Sequence, residues 1–70
     1  RGDEGERAAL INLNAASEAE LTLLPGVGPA TAKRIVAYRT RYGFRCIEDL
    51  LKVAGIGPAK LEKLRHQVTI

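Results

Sequence analysis

The chain has 70 residues, 46% of them apolar, with 11 basic and 8 acidic side chains and a formal charge of +3. One domain of this size buries only roughly 60% of its unfolded surface, too little for both a core and a walled active site, so autonomous catalysis is not expected. No run of about 18 apolar residues spans a membrane, no charged-then-apolar leader reads as a signal peptide, and the single Cys46 excludes an internal disulfide and a multi-cysteine metal site.

The charge is unevenly placed. Residues 1–24 carry two basic and five acidic groups, 25–45 carry five basic and none acidic, and 46–70 carry four basic and three acidic. A basic middle suggests an anionic partner, set against the plainer reading of solubility. The first residue is Arg1 and not Met, as expected of a fragment or a processed product.

In chain order, residues 1–9 are mostly polar without an apolar period and read as a flexible tail. Arg1, Gly2 and Asp3 spell an integrin-recognition tripeptide, which chance in a charged tail explains better than function. Order is expected from 10–14 onward. Ser17 and Glu20 have the spacing of a capping box, so a short helix starts there with Leu21 and Leu24 on one face. Pro25 stops it, because the residue before proline avoids the helical region. After Gly26, Val27 and Gly28, Pro29 stands where a missing amide proton costs a new helix nothing. That helix runs from Pro29 to about Arg41 with Ala32, Ile35 and Val36 inward. Tyr42, Gly43 and Phe44 form its exit, the glycine left-handed and the phenylalanine folded back onto the core.

The pattern then repeats. Leu50, Val53, Gly55, Ile56, Gly57, Pro58, Leu61 and Leu64 reproduce Leu21, Leu24, Gly26, Val27, Gly28, Pro29, Ala32 and Ile35 at a constant offset of 29 residues. The expected fold is all-α, about four helices in two helix, hairpin, helix units over 17–41 and 46–67, within a domain of residues 10–70. Neither unit buries its apolar face alone, so the two are expected to pack about a pseudo-twofold axis, with Phe44 sealing the joint.

One glycine, apolar, glycine triplet marks only a tight turn. Two in register, each between a short helix and a proline-started one, point further. Glycine lets a foreign group approach the backbone closely, and the first amides of the following helix lack internal partners, so each hairpin suits an anion. Two such sites match the two antiparallel backbones of a duplex. Gly26, Gly28 and Ala30, and Gly55, Gly57 and Ala59, are the expected amide donors. Val27 and Ile56 complete the two contact segments with side chains that point inward and hold each loop. Thr31, Lys33 and Arg34 follow the first hairpin; Lys60 and Lys63 follow the second and add charge. Phosphate contacts carry no sequence information, so sequence-independent binding is expected. Three aromatics and no Trp argue against stacking of single-stranded bases; Tyr38, Tyr42 and Phe44 read as partial core.

Leu21, Leu24, Gly26, Val27, Gly28, Ala32, Ile35 and Val36 fill the positions of the helix-hairpin-helix motif. Residues 10–70 resemble the C-terminal tandem helix-hairpin-helix domain of ComEA-type competence proteins. Ile11, Asn12, Leu13, Asn14, Ala16 and Ser17, the run Ile35, Val36, Ala37, Tyr38 and Arg39, and the segment 44–51 with Ile47, Glu48, Asp49, Leu50 and Leu51 carry the likeness beyond the generic motif. The sequence departs from the pattern at Leu61, where the first unit has Ala32, and at Cys46, a cap position that suits serine or threonine. The resemblance implies a non-catalytic receptor for double-stranded DNA in natural transformation, periplasmic or at the cell surface. It further implies partners in the DNA-uptake apparatus, and no membrane contact by this segment is expected; the residues themselves call for no cofactor or metal, although some helix-hairpin-helix loops hold a monovalent cation through backbone carbonyls.

Three other readings compete. An accessory module of a cytoplasmic DNA repair or recombination enzyme would bind in the same way. A glycosylase fragment is suggested by residues 24–32, but the lyase members of that family carry a lysine where this chain has Ala30, and the chain is too short for a base-flipping pocket. The last is a protein-interaction domain. His66 stands alone near the end of the last helix and reads as a surface residue. Arg39 and Arg41 are placed to serve helix-end carbonyls.

Overall fold

The computed structural model describes residues 10–70; the expected tail over 1–9 lies outside the described residues. Its elements are β1 (Ile11–Asn12), α1 (Glu18–Leu21), α2 (Pro29–Arg41), a 3-10 helix (Ile47–Lys52), α3 (Pro58–Leu64) and β2 (Val68–Thr69). The body is helical. β1 and β2 add a two-residue parallel ladder that pairs Ile11 with Val68 and Asn12 with Thr69.

Both halves of the capping box form at α1. Ser17 Oγ accepts from the Glu20 amide at 3.1 Å, and Glu20 Oε1 accepts from the Ser17 amide at 2.8 Å. The helix then tightens: the Leu23 and Leu24 amides donate to carbonyls three residues back, on Glu20 and Leu21. Pro29 opens α2 at its first position. At the far end Gly43 takes φ +77° and its amide donates to the Arg39 carbonyl at 3.0 Å. Phe44 returns to the core with its ring 4.8 Å from that of Tyr38. Tyr42 departs from the expected partial core: it is 62% exposed, with the Arg41 guanidinium 5.6 Å from its ring.

The second unit opens on a 3-10 helix. Cys46 holds the cap position with an extended backbone but makes no side-chain cap bond, and Asp49 accepts instead from the Arg45 amide at 3.0 Å. Without the reciprocal box of the first unit, the turn closes by bonds between residues three apart, from Asp49 to Cys46 and from Val53 to Leu50.

The repeat is visible in the core. Leu21 and Leu50, Leu24 and Val53, Val27 and Ile56, Ala32 and Leu61, and Ile35 and Leu64 are all buried in one cluster. The bulk of Leu61 opposite Ala32 is absorbed, since both are buried. Val36 lies at the edge of the cluster, partly exposed.

The N-terminal segment is clasped to this body by polar groups. Asn14 Nδ2 donates to the Phe44 carbonyl at 3.0 Å while its Oδ1 accepts from the Phe44 amide at 2.8 Å. Arg39 reaches back from α2 to donate to the carbonyls of Leu13 and Ala16. It therefore serves carbonyls of the N-terminal segment and not those of its own helix end.

Candidate nucleic-acid interface

Each hairpin is a four-residue turn closed by one backbone bond. The Val27 amide donates to the Leu24 carbonyl at 3.1 Å, and the Ile56 amide to the Val53 carbonyl at 3.1 Å. Gly26 and Gly55, at the third position of these turns, have φ +78° and +96°. That is the geometry of a type II turn, where a side chain is strained, and Pro25 presets the second position of the first one. Val27 and Ile56 consequently offer no donor to a ligand. Their amides close the turns and their side chains are 4% and 5% exposed.

The remaining backbone is oriented differently. The amides of Gly26, Gly28, Ala30 and Thr31, and of Gly55, Gly57, Ala59 and Lys60, have no hydrogen-bond partner among the described residues. Gly28, Ala30, Gly57 and Ala59 are exposed. Neither α2 nor α3 has a side-chain cap, so the amides at both starts face outward.

The two hairpins lie against each other, crosswise. A β-carbon placed on Gly26 would stand 3.1 Å from Cε of Lys60, and one placed on Gly55 would stand 3.4 Å from both Thr31 Oγ1 and Arg34 Nη1. Gly26 and Gly55 are repeat partners, as are Thr31 and Lys60, and Arg34 and Lys63. Each glycine turn thus faces the helix start of the other unit, the reciprocity that a twofold relation requires. Lys60 is half-buried and its Nζ donates to the Gly55 carbonyl at 3.3 Å, so one side chain touches both turns. An open hollow of about 430 Å³ lies at this crossing, lined by Pro25, Gly26, Gly57, Pro58, Ala59, Lys60 and Lys63.

Charge is sorted around the crossing. Lys33, Arg34 and Lys63 are exposed, and no ion pair within the described residues includes them. The acids of the second unit are engaged elsewhere. Arg65 pairs with Glu62 at 3.0 Å and Glu48 at 3.2 Å, and Asp49 lies 3.5 Å from Lys52. The Glu48 carboxyl is held below its ordinary pKa by its own backbone amide and by Arg65, and Asp49 by the Arg45 amide and by Lys52. Arg65 is raised by its two carboxylates. Glu62 repeats Lys33, which makes the two units unequal in charge.

Proximity in sequence assigns Lys33, Arg34, Lys60 and Lys63 to the hairpin before each; in the structure Lys60 and Arg34 lie against the glycine turn of the other unit. The crossing was missed. Only the offset of 29 residues hinted at it, and an offset does not say which unit faces which.

Two glycine turns, each between a short helix and a proline-started one and packed face to face, define a tandem helix-hairpin-helix domain. The family model of the helix-hairpin-helix motif matches residues 6–69, and the chain belongs to that family. Over 68 residues it is 44% identical to ComE operon protein 1 of Bacillus subtilis (strain 168), across 96% of this chain and 33% of that protein. The domain is of the ComEA type. It is also 44% identical over 61 residues to the human endonuclease/exonuclease/phosphatase family domain-containing protein 1, across 86% of this chain and 11% of that protein. A protein of Haemophilus influenzae is 43% identical over 60 residues, across 83% of this chain and 54% of its own length. This chain therefore spans between about a tenth and about half of these relatives. Membership in the family carries DNA binding with it.

Proposed function

We propose that this domain binds double-stranded DNA without reading its sequence, through the backbone amides of both hairpins, and serves as the DNA-receiving module in natural transformation. The crossing carries the DNA reading: two sets of outward amides, with basic side chains around them that pair with no acid among the described residues, suit phosphate groups on two strands. Gly26, Gly28 and Ala30 in one unit and Gly55, Gly57 and Ala59 in the other are the backbone contacts. Thr31, Lys33, Arg34, Lys60 and Lys63 supply the surrounding polar and charged groups. The likeness to ComE operon protein 1 over nearly the whole chain supports the uptake role and an extracytoplasmic location, where other components of the uptake apparatus would be its partners. The domain itself acts as a non-catalytic module.

A second reading follows from the endonuclease/exonuclease/phosphatase relatives, in which a similar domain is a small part of a much longer protein. There this chain would be an accessory DNA-binding module of a nucleic-acid-processing enzyme. Both readings require the same duplex contact. Fluorescence anisotropy with a 20-base-pair duplex across a salt series tests it. With about four phosphates neutralised, log affinity falls against log salt with a slope of roughly −3 to −4. A slope near zero overturns the DNA reading. Deletion in a transformable host then separates the two, since loss of DNA uptake with intact repair supports the receptor and the reverse supports the enzyme module.

A further inference from the structure

We propose that the two hairpins form one composite DNA site and not two independent ones, in which Arg34 of the first unit acts at the second hairpin. The inference rests on the DNA-binding reading above. Arg34 stands in the first turns of α2, directly after hairpin one, so proximity in sequence assigns it there. Its guanidinium lies elsewhere, with Nη1 3.4 Å from where a β-carbon on Gly55 would be. Helical side chains lean toward the N-terminus of their helix, and here that lean carries Arg34 over the turn of the other unit. Its repeat partner Lys63 lines the hollow between the two hairpins, with Pro25 and Gly26 of the first and Gly57, Pro58 and Ala59 of the second.

Lys60 has a different task. Its stem packs on Gly26 and its ammonium is bound to the Gly55 carbonyl, so it holds the two turns together as a positioning residue. A phosphate seated on the amides of hairpin two then meets a cation from unit one. Blocking one hairpin removes the task of the other unit's cation, which independent hairpins would not show.

A double-mutant cycle reads this directly. Gly28→Ala and Gly57→Ala each add a methyl beside the outward amides, in backbone of φ −93° and −105° with no atom within 4 Å, so both fold. Arg34→Ala is combined with each, and duplex affinity is followed across a salt series, with circular dichroism as the check on folding. Arg34→Ala alone reduces the salt slope by about 1, and Arg34→Lys restores it. In the Gly57→Ala background the further reduction disappears; in the Gly28→Ala background it persists in full. Persistence with Gly57→Ala, whether or not it is lost with Gly28→Ala, overturns the composite site. Failure of the unaltered protein to bind duplex at low salt overturns the DNA reading itself, and is a separate result.

Discussion

The Lys60 side chain lies across Gly26, with Cε 3.1 Å from the place a β-carbon would occupy, although the two residues belong to different halves of the repeat. Two features favour glycine at this point. The backbone is left-handed at φ +78°, and a β-carbon would require the flexible end of Lys60 to shift by a few tenths of an ångström. Gly26→Ala is expected to destabilise the domain by about 1–2 kcal/mol from the backbone alone. Gly28→Ala, two residues on, should change stability by less than about 0.5 kcal/mol. Urea titration of both variants checks the pair, and equal losses would show that the left-handed turn is not the cause.

Asn14 acts as a two-pronged link to the backbone of Phe44. Asn14→Ala removes both bonds and should cost about 2 kcal/mol, while Asn14→Asp keeps the acceptor and should cost less. Neither touches the outward amides. Duplex affinity of the folded protein is expected to be unchanged, which anisotropy measured well below the melting temperature can read.

The two first helices differ in their caps, and substitutions can exchange that difference. Ser17→Ala should lose about 1 kcal/mol with the capping box. Cys46→Ser supplies an acceptor where an extended backbone is already in place at φ −153° and ψ 164°, and should gain up to about 1 kcal/mol. Thermal melts followed by circular dichroism give both values. A loss on Cys46→Ser would mean that the 3-10 geometry has another origin.

Folding lowers the pKa of Glu48 and of Asp49, through their backbone amide donors first and then Arg65 and Lys52 respectively. In acid the unfolded chain therefore binds more protons than the folded one, and stability must decrease as pH falls. The contribution is complete above the ordinary carboxylate range and is lost from about pH 5 downward. The Glu48 share is small, because that carboxyl is open to solvent, while the Asp49 side chain is only 13% exposed and carries more of it. Denaturation midpoints between pH 7 and pH 3 should show the decline, and Asp49→Asn should flatten part of it. An unchanged slope in that variant would assign the decline to other groups.

Local chemistry made much of this fold legible. Ser17 with Glu20, Pro29, Gly43 and the two glycine triplets each act within a few residues of themselves, and the structure shows the capping box, the start of α2, its left-handed exit and the paired turns where they were expected. What escaped were features made by residues far apart in sequence. The ladder between Ile11–Asn12 and Val68–Thr69 is too short to leave a period in the sequence. Arg39 bonds to Leu13 and Ala16, which a helix-end arginine does not announce. At the candidate site the amide donors follow from the turn alone. Which basic side chain attends which turn depends on how the units cross, and no pattern within one unit encodes that.

The parallel ladder bears on how the domain carries force. The Ile11 amide bonds to the Gln67 carbonyl at 2.9 Å and the Leu13 amide to the Thr69 carbonyl at 2.8 Å. Because the strands run the same way, a pull between residues 10 and 70 slides them past one another and loads both bonds together, where an antiparallel pair pulled at its open end would peel one bond at a time. The first and last described segments are thus joined in the direction that resists such a pull.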